Sequence, residues 1–317
     1  MLKKIGKVAA GLSVFAAGAI ASGAWLIAER IIHPPKDNYN DIKEDLKLRL
    51  GYSDEEFKEL LDTPFEPVTL LSDYGYTLNG RLFDQQADKS IILLHREGRN
   101  LMASYKFLQM YLNLGYNILM CDARYHGDSE GENYTYGFFE RWDLMKQANF
   151  LFDRYGEDTL LGLHGESGGA ATALMTLCQD ERIGFAIADS SFSELLEVMI
   201  GLEQRIVKTE SKKLLLLIDL IIRRRAGFSL ANVSPLMEIQ ALQVPVLFIH
   251  SEKDNLVPAK MSKMLSHFKS GYNELFIAPE SKHLLGYYEH REEYEARVRG
   301  FLENTEAIFK RFQQTYI

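Results

Sequence analysis

The sequence predicts an α/β fold built on a mostly parallel sheet. Eight short apolar runs have the length of strands, and from the third onward they alternate with helical patterns. These later runs are apolar almost throughout, which is typical of strands that helices cover on both faces. We therefore expect an eight-stranded sheet that is mostly parallel, has helices on both faces and is entered through an antiparallel hairpin.

The pattern gives each element a range. The predicted strands are Val68–Leu71, Leu78–Phe83, Ser90–Leu94, Asn117–Cys121, Leu160–His164, Phe185–Asp189, Val246–His250 and Glu274–Ile277. The predicted helices are Ala103–Leu114, Phe139–Tyr155, Gly168–Cys178, Ala259–Phe268 and Glu289–Phe312. The main domain is predicted to span residues 65–317. Residues 191–243 are too long for an ordinary connection, so they predict a helical cap between the sixth and seventh strands.

Within this cap, the residues of Leu214–Ile222 are apolar except Asp219, and Arg223–Arg225 follow them. Nine residues are too short to cross a bilayer. We expect a cap helix that packs on the main domain. The alternative is a lid that forms an apolar acyl pocket or touches a membrane surface through its basic end.

The N-terminus predicts a membrane anchor in residues 1–30. Lys3, Lys4 and Lys7 precede an uncharged stretch, Val8–Ala28, that has the length of a membrane span. The positive-inside rule would place the remaining chain on the extracytoplasmic side of the cell membrane. Two alternatives are secretion after cleavage of a signal peptide near Ala19–Ala21 and a buried N-terminal helix.

Residues 31–64 predict a juxtamembrane spacer with a short pair of amphipathic helices. Pro34 and Pro35 interrupt any continuous helix, and apolar residues then recur at helical spacing. These apolar positions are Ile42, Leu46, Leu50, Phe57, Leu60 and Leu61. We expect the pair to pack on the main domain rather than lie on a lipid surface.

The composition limits the kinds of partner that the protein could bind. The 317 residues are 46% hydrophobic and carry a net charge of −8, which provides no basic face for nucleic acid. Of the two cysteines, Cys121 ends an apolar run and Cys178 lies in a predicted helix. They suggest neither a disulfide framework nor a cysteine metal site. The oligomeric state is left open.

Gly165-Glu166-Ser167-Gly168-Gly169 lies between the fifth strand and a helix. A serine flanked by glycines in a tight strand-to-helix turn is typical of a nucleophile elbow, where the hydroxyl stands clear of the sheet edge. The helix behind it directs backbone N–H groups at developing negative charge. Ser167 is therefore the candidate nucleophile.

A serine nucleophile needs a base and an acid that orients the base. Asp254 follows the seventh strand and His283 follows the eighth, so the chain order is nucleophile, acid, base. The carboxyl ends of parallel strands meet at one edge, which would bring these loops together. Glu252 and Glu280 are alternative acids. The remaining histidines lie at strand ends, in the loop at residue 126, near the membrane segment or on helices.

The oxyanion of the reaction needs two donors. We expect the backbone N–H of Gly168 as the first and the N–H of Glu97 or Arg96, after the third strand, as the second. The predicted mechanism requires no metal or organic cofactor.

These residues resemble the α/β-hydrolase superfamily, and more narrowly its bacterial serine hydrolases related to prolyl-oligopeptidase-type and acyltransferase C-terminal domains. The resemblance covers about residues 65–312. Besides the elbow, it rests on Asp122–Gly131, similar to the family's D-x-R-G-H-G-x-S-x-G loop, and on Val244–His250 leading to Asp254 and Pro258. The resemblance implies the α/β-hydrolase fold and a Ser-His-Asp triad.

Two loops depart from that pattern. Arg96 follows His95 where the family usually has glycine, with Glu97 and Arg99 in the same loop, and Tyr125 replaces a common glycine. Either the oxyanion loop takes another path or its charged side chains point into the cleft and help to select substrate.

The predicted function is hydrolysis of a small-molecule carboxylic ester or related acyl bond by a membrane-anchored serine hydrolase. A peptidase or an acyltransferase would use the same residues, and the sequence does not separate them. An inactive scaffold that binds a partner at the cell surface is the alternative from another class.

Overall fold

The computed structural model describes residues 20–207 and 211–315. Helix α1 covers residues 20–32, and α2 (Tyr39–Leu50) and α3 (Asp54–Leu61) precede the sheet. The strands are β1 (Glu66–Leu71), β2 (Thr77–Phe83), β3 (Lys89–Leu94), β4 (Asn117–Cys121), β5 (Leu160–Glu166), β6 (Ile183–Asp189), β7 (Val246–Ser251) and β8 (Asn273–Ala278).

The sheet has eight strands in the order β1-β2-β4-β3-β5-β6-β7-β8. Strands β1 and β2 form an antiparallel hairpin, β2 pairs antiparallel with β4, and the other neighbours are parallel. The expected eight-stranded, mostly parallel sheet with an antiparallel entry is confirmed. Each predicted strand is present, with ends that differ by at most two residues.

The main domain's helices alternate with the later strands. A 3₁₀ turn (Leu101–Phe107) leads into α4 (Leu108–Asn113), so the single predicted helix over this region is two elements. The remaining ones are α5 (Glu140–Tyr155), α6 (Gly168–Leu177), α10 (Lys260–Phe268), α11 (Gly286–Glu289) and α12 (Arg291–Thr315). Between β6 and β7 lie α7 (Leu195–Val207), α8 (Lys212–Ala226) and α9 (Pro235–Glu238).

Alternation along the strands creates a core on each face of the sheet. Ile91 and Leu93 of β3 face one core, and Ile92 between them faces the other. The first core contains residues of α2, α3 and α12, and the second contains residues of α5, α6 and α10. Successive side chains of a strand point to opposite faces of the sheet, so an apolar strand that helices cover on both sides contributes to both cores.

The segment 31–64 forms the two short helices that its periodicity predicted. Ile42 and Leu46 of α2 and Phe57 and Leu60 of α3 are buried in the first core. Helix α2 begins at the cap Asn38 and ends at Gly51, whose φ of 66° suits glycine. Helix α3 begins with a capping box between Ser53 and Glu56. The pair therefore packs on the main domain.

The predicted anchor Val8–Ala28 lies partly outside the described residues. Its described part belongs to α1, where Ala24 and Ala28 are buried and Trp25 and Leu26 are exposed. Ala24 and Ala28 pack in a third apolar cluster together with residues of the cap and of α6. In the described ranges, no helix combines the length and the apolar character that crossing a bilayer requires.

The predicted cap helix Leu214–Ile222 lies within α8. Leu215, Ile218 and Ile222 are buried in the third cluster, whereas Leu216 and Leu220 are exposed. Gly227 ends the helix with φ of 75°. The cap thus packs on the main domain through one face of α8 and leaves part of its apolar run exposed.

Candidate active site

The nucleophile elbow is formed where β5 ends and α6 begins. Ser167 is 3% exposed and has φ of 50° and ψ of −114°, a strained conformation for a residue with a side chain. Its N–H donates to the carbonyl of Asp189 at 2.8 Å, which fixes the turn against β6. A strained backbone at a serine between a strand and a helix is typical of a nucleophile elbow, in which the turn holds the hydroxyl above the edge of the sheet.

The glycines of the elbow are needed for close packing. A Cβ on Gly165 would lie 2.4 Å from the carbonyl carbon of Gly169, and a Cβ on Gly169 would lie 2.6 Å from the carbonyl oxygen of His95. Both contacts are with backbone atoms, which cannot turn away as a flexible side chain can. Small residues at both positions therefore allow α6 to begin directly behind Ser167.

Asp254 and His283 are brought together from two loops. The Nδ1 of His283 forms a short hydrogen bond with the Oδ2 of Asp254. The Oδ1 of Asp254 accepts the N–H groups of Leu256 and Val257, both at 2.8 Å. These loops meet because β7 and β8 are parallel neighbours with Ser251 opposite Ala278.

The environment of Asp254 keeps its carboxylate ionised. Burial by itself would raise the pKa of Asp254, but hydrogen bonds from His250 and His283 hold that pKa well below its usual range. His250 is fully buried, and its Nε2 lies 3.3 Å from the Oδ2 of Asp254 and 2.8 Å from the carbonyl oxygen of Val257. Nothing in the sequence pattern marked His250 as a partner of Asp254, because the turn after β7 brings the two side chains together.

The other face of His283 is available for proton transfer. Its Nε2 is buried and has no hydrogen-bond partner among the described residues. Among the described residues, His283 and Ser167 form no hydrogen bond with each other. His283 and Glu166, the neighbour of Ser167, line the same cavity. Neither alternative acid forms a hydrogen bond or ion pair with His283: Glu252 accepts the N–H of Glu280, and Glu280 pairs with Lys253.

The backbone N–H of Gly168, the predicted oxyanion donor, already donates a hydrogen bond to a side chain. The N–H of Gly168 donates to the carboxylate Oε2 of Glu97 at 3.3 Å. The hydroxyl of Tyr134 lies beside the same residue, since a Cβ on Gly168 would be 2.6 Å from it. The loop after β3 thus meets Gly168 through the Glu97 carboxylate, and the contribution of the backbone N–H of Glu97 or Arg96 stays a prediction.

Arg96 follows His95 in the turn after β3. The guanidinium of Arg96 donates to the carbonyl oxygen of Glu97 at 2.8 Å. His95 is fully buried, with its Nδ1 2.8 Å from the carbonyl oxygen of Arg96 and its Nε2 accepting the N–H of Ala123. Burial lowers the pKa of His95, which agrees with this neutral tautomer. Of the charged side chains in this loop, Glu97 reaches Gly168, and Arg96 and Arg99 line a cavity that His283 also lines.

The loop after β4 supports the oxyanion loop. The carboxylate of Asp122 accepts the N–H of Leu101 at 2.7 Å and that of Asp128 at 2.9 Å, and the Nε2 of His126 accepts the N–H of Gly98. Tyr125 has φ of 70°, which explains why glycine is common at this position in similar loops.

An ion pair lies beneath the elbow. Lys106 and Glu166 form a short hydrogen bond, and both side chains are 4% exposed. Beside them, Tyr294 donates to Asp189 at 3.0 Å, and burial raises the pKa of Asp189 to about 6. No group of three or more metal-ligating side chains occurs within residues 20–207 and 211–315.

The strained serine, the Asp254–His283 pair and the strand order define a class of protein, the α/β-hydrolases. Residues 104–307 match the prolyl oligopeptidase family. The chain is also 34% identical over 283 residues to the uncharacterized protein YqkD of Bacillus subtilis, covering 87% of each chain. This protein belongs to the prolyl oligopeptidase family and is a serine hydrolase.

Solved structures share the fold. The esterase Pf2001 of Pyrococcus furiosus superposes with a TM-score of 0.66 at 23% identity, over 86% of this chain and 99% of that one. The acylaminoacyl peptidase of Pyrococcus horikoshii gives 0.60 at 18% identity, over 79% of this chain and 43% of that one. One structural neighbour is an esterase and the other a peptidase, so the shared fold does not distinguish an ester from a peptide substrate.

Proposed function

We propose that this serine hydrolase cleaves carboxylic esters through Ser167, His283 and Asp254. The observation that carries the proposal is the His283 side chain: Asp254 holds its Nδ1, and its Nε2 is buried without a partner in the described residues. An imidazole held in this way can accept a proton at Nε2. Ser167, in the strained turn at the same sheet edge, is the hydroxyl that would supply it.

In the proposed reaction, Ser167 attacks the carbonyl carbon while His283 takes the hydroxyl proton. The N–H of Gly168, with a donor from the Arg96–Glu97 backbone, stabilises the oxyanion. His283 then gives the proton to the leaving alcohol as the carbon–oxygen bond breaks, which leaves an acyl ester on Ser167. Water, deprotonated by His283, attacks this ester and releases the acid and free enzyme.

The test combines covalent labelling with matched substrates. We expect a fluorophosphonate probe to label the parent protein but not Ser167→Ala, and to label His283→Ala far more slowly. Ser270→Ala and His267→Ala, at exposed positions, serve as controls and should label like the parent. A folded parent that takes up no probe would overturn the triad assignment.

Ester preference is tested with p-nitrophenyl butyrate and the matching p-nitroanilide. We expect the ester to react at least about 100-fold faster relative to each substrate's uncatalysed hydrolysis. A peptidase would reverse that order, and an acyltransferase would form a new ester when an alcohol acceptor is added. Each result distinguishes one of the alternatives that share this triad.

A second proposal concerns the acyl group. An apolar cavity of about 450 Å³ lies between α1, α7 and α8, with Arg30 and Glu203 as its polar exceptions. Its apolar walls suit a hydrocarbon chain. These walls are formed by Leu26, Ile27, Ile31, Met199, Leu202, Leu215 and Ile218.

The acyl proposal predicts a dependence on chain length. Ester hydrolysis should increase from acetyl toward longer acyl chains, and Ile218→Trp, which narrows the cavity, should reduce that increase. Leu216→Trp, on the exposed face of the same helix, is the control. A rate that is flat across chain length would argue against this pocket.

The membrane location also stays a proposal. It is supported by the three N-terminal lysines followed by the uncharged stretch Val8–Ala28. Membrane fractions washed with alkaline carbonate should retain the full-length protein, and added protease should digest it in spheroplasts. Recovery in the culture medium would instead indicate signal cleavage.

A further inference from the structure

A second cavity lies against the catalytic loop. It has a volume of about 90 Å³ and lies between α2 and the turn that follows β8. His283 and Glu166 are among its lining residues, which places it beside the triad, and Asp45 and Arg49 of α2 line it from outside the Ser167 and His283 loops. Helix α2 precedes the region that matches the prolyl oligopeptidase family, so this wall is contributed by the N-terminal part of the chain.

The lining of this cavity is rich in cations. It contains two carboxylates, Asp45 and Glu166, and four basic side chains, which are Arg49, Arg96, Arg99 and Lys106. Lys106 and Glu166 neutralise each other. Asp45 is shared, since Arg49 reaches one of its oxygens at 2.6 Å and Arg99 the other at 2.8 Å. Arg99 also contacts Asp37 at 3.2 Å, outside the cavity.

Arg96 is the remaining cation. It is half-buried and donates to the backbone oxygen of Glu97, but it pairs with no carboxylate among the residues that the structure describes. The nearest carboxylate in its own loop, Glu97, is instead bonded to the N–H of Gly168. A partly desolvated guanidinium without a counter-ion is stabilised when an anion enters.

We propose that this cavity binds an anionic oxygen group, a carboxylate or a phosphate monoester, on the leaving group of the substrate. The proposal rests on the proposed function, because it assigns the substrate of the same triad. Arg96 pairs with the anion through its planar guanidinium, and Arg49 and Arg99 add positive potential. The leaving group lies on this side because His283, which lines the cavity, returns the proton to it.

The test uses phenyl acetates that differ at the meta position. The substituents are hydrogen, carboxylate, phosphate monoester and trimethylammonium, and each rate is divided by the ester's rate of hydroxide-catalysed hydrolysis. For the parent, we expect kcat/KM to be at least about tenfold higher with either anionic substituent than with hydrogen, and lowest with trimethylammonium. A preference confined to phosphate or to carboxylate would identify which anion the cavity accepts.

Variants of the cavity's arginines test whether Arg96 is the residue that binds the anion. The ratio of anionic to neutral kcat/KM should fall to within about twofold of unity in Arg96→Gln, mainly through KM, and fall part of the way in Arg49→Gln. An effect of residue 96 on the oxyanion loop would change the rates of anionic and neutral esters alike. The ratio of the two therefore reports anion binding alone. Arg224→Gln removes an exposed guanidinium from α8 and should leave the ratio and the basal rate unchanged.

Two failures are distinguishable. If the parent hydrolyses phenyl acetate but shows no anionic preference, or if Arg96→Gln keeps the preference, this inference is overturned and the proposed function stands. A preference for phenyl succinate, in which the carboxylate is on the acyl side, would also overturn it. If no ester is hydrolysed and the fluorophosphonate probe does not react, the proposed function and this inference both fail.

Discussion

The carboxylate of Glu97 accepts a hydrogen bond from the backbone N–H of Gly168, with the Oε2 3.3 Å from the nitrogen. This N–H is the donor that would stabilise the oxyanion when Ser167 attacks a carbonyl. In the free protein, a negative side chain therefore occupies the position where negative charge would develop. Substrate must displace it, and its charge opposes the transition state as long as it stays near.

We expect Glu97→Gln to raise kcat/KM for phenyl acetate by about threefold to tenfold. The change removes a like charge close to the developing oxyanion, an effect of about 1 kcal/mol in a partly solvated site. Steady-state rates and the rate of fluorophosphonate labelling both measure it. Glu280→Gln, which removes an exposed carboxylate from the His283 loop, should change neither rate. A loss of activity in Glu97→Gln would show that the carboxylate serves substrate binding.

Asp254→Asn should lower kcat by about 10³-fold to 10⁴-fold while the protein stays folded. The carboxamide can keep the N–H groups of Leu256 and Val257 as donors, but it cannot stabilise the charged form of His283. Circular dichroism and ester hydrolysis check the two parts. Glu252→Gln, at the alternative acid, is expected to stay within twofold of the parent, and the reverse order of effects would reassign the acid.

Lys106→Met should reduce the free energy of unfolding by about 3–5 kcal/mol, because it leaves the Glu166 carboxylate buried without its partner. The double variant Lys106→Met, Glu166→Met should recover most of that loss. Denaturant unfolding measures both. Lys253→Met breaks an exposed pair with Glu280 and should leave the free energy of unfolding nearly unchanged. A similar cost for the two lysines would contradict this account of the buried pair.

Asp143→Asn should change how stability depends on pH. Burial raises the pKa of Asp143 to about 6 from an ordinary value of 3.8, although hydroxyls of Ser72 and Tyr76 donate to the carboxylate at 2.5 and 2.6 Å. The folded protein then binds more protons than the unfolded chain between about pH 4 and pH 6. The stability that Asp143 contributes is therefore present below pH 4 and is lost as the pH rises through 6.

The variant lacks this titration. Relative to the parent, Asp143→Asn should gain about 2–3 kcal/mol of unfolding free energy between pH 4 and pH 7, from the size of the pKa shift. Urea unfolding at several pH values measures the difference, with the exposed Asp153→Asn as the control. Parallel pH profiles for the parent and Asp143→Asn would show that Asp143 ionises in the folded protein as it does in the unfolded chain.

Much of the fold could be predicted because buried parallel strands have a strong sequence signal. Strand β4 begins and ends where the apolar run Asn117–Cys121 does, and β5 begins at Leu160 as predicted. The elbow at Ser167 was visible because its geometry demands small neighbours at fixed positions. The helix predicted over Ala103–Leu114 was less exact, since periodicity does not distinguish a 3₁₀ turn from an α-helix over so few residues.

By itself, the sequence determined the order of strands and helices along the chain, the candidate triad and the two-helix segment before the sheet. Each of these depends on local pattern or on chain order. Only the tertiary structure decided which side chains meet at the site. Glu97 on Gly168 and α2 beside His283 join residues from different loops and helices. Such contacts depend on how the turns and helices pack after the sheet has formed, and spacing along the chain carries no record of them.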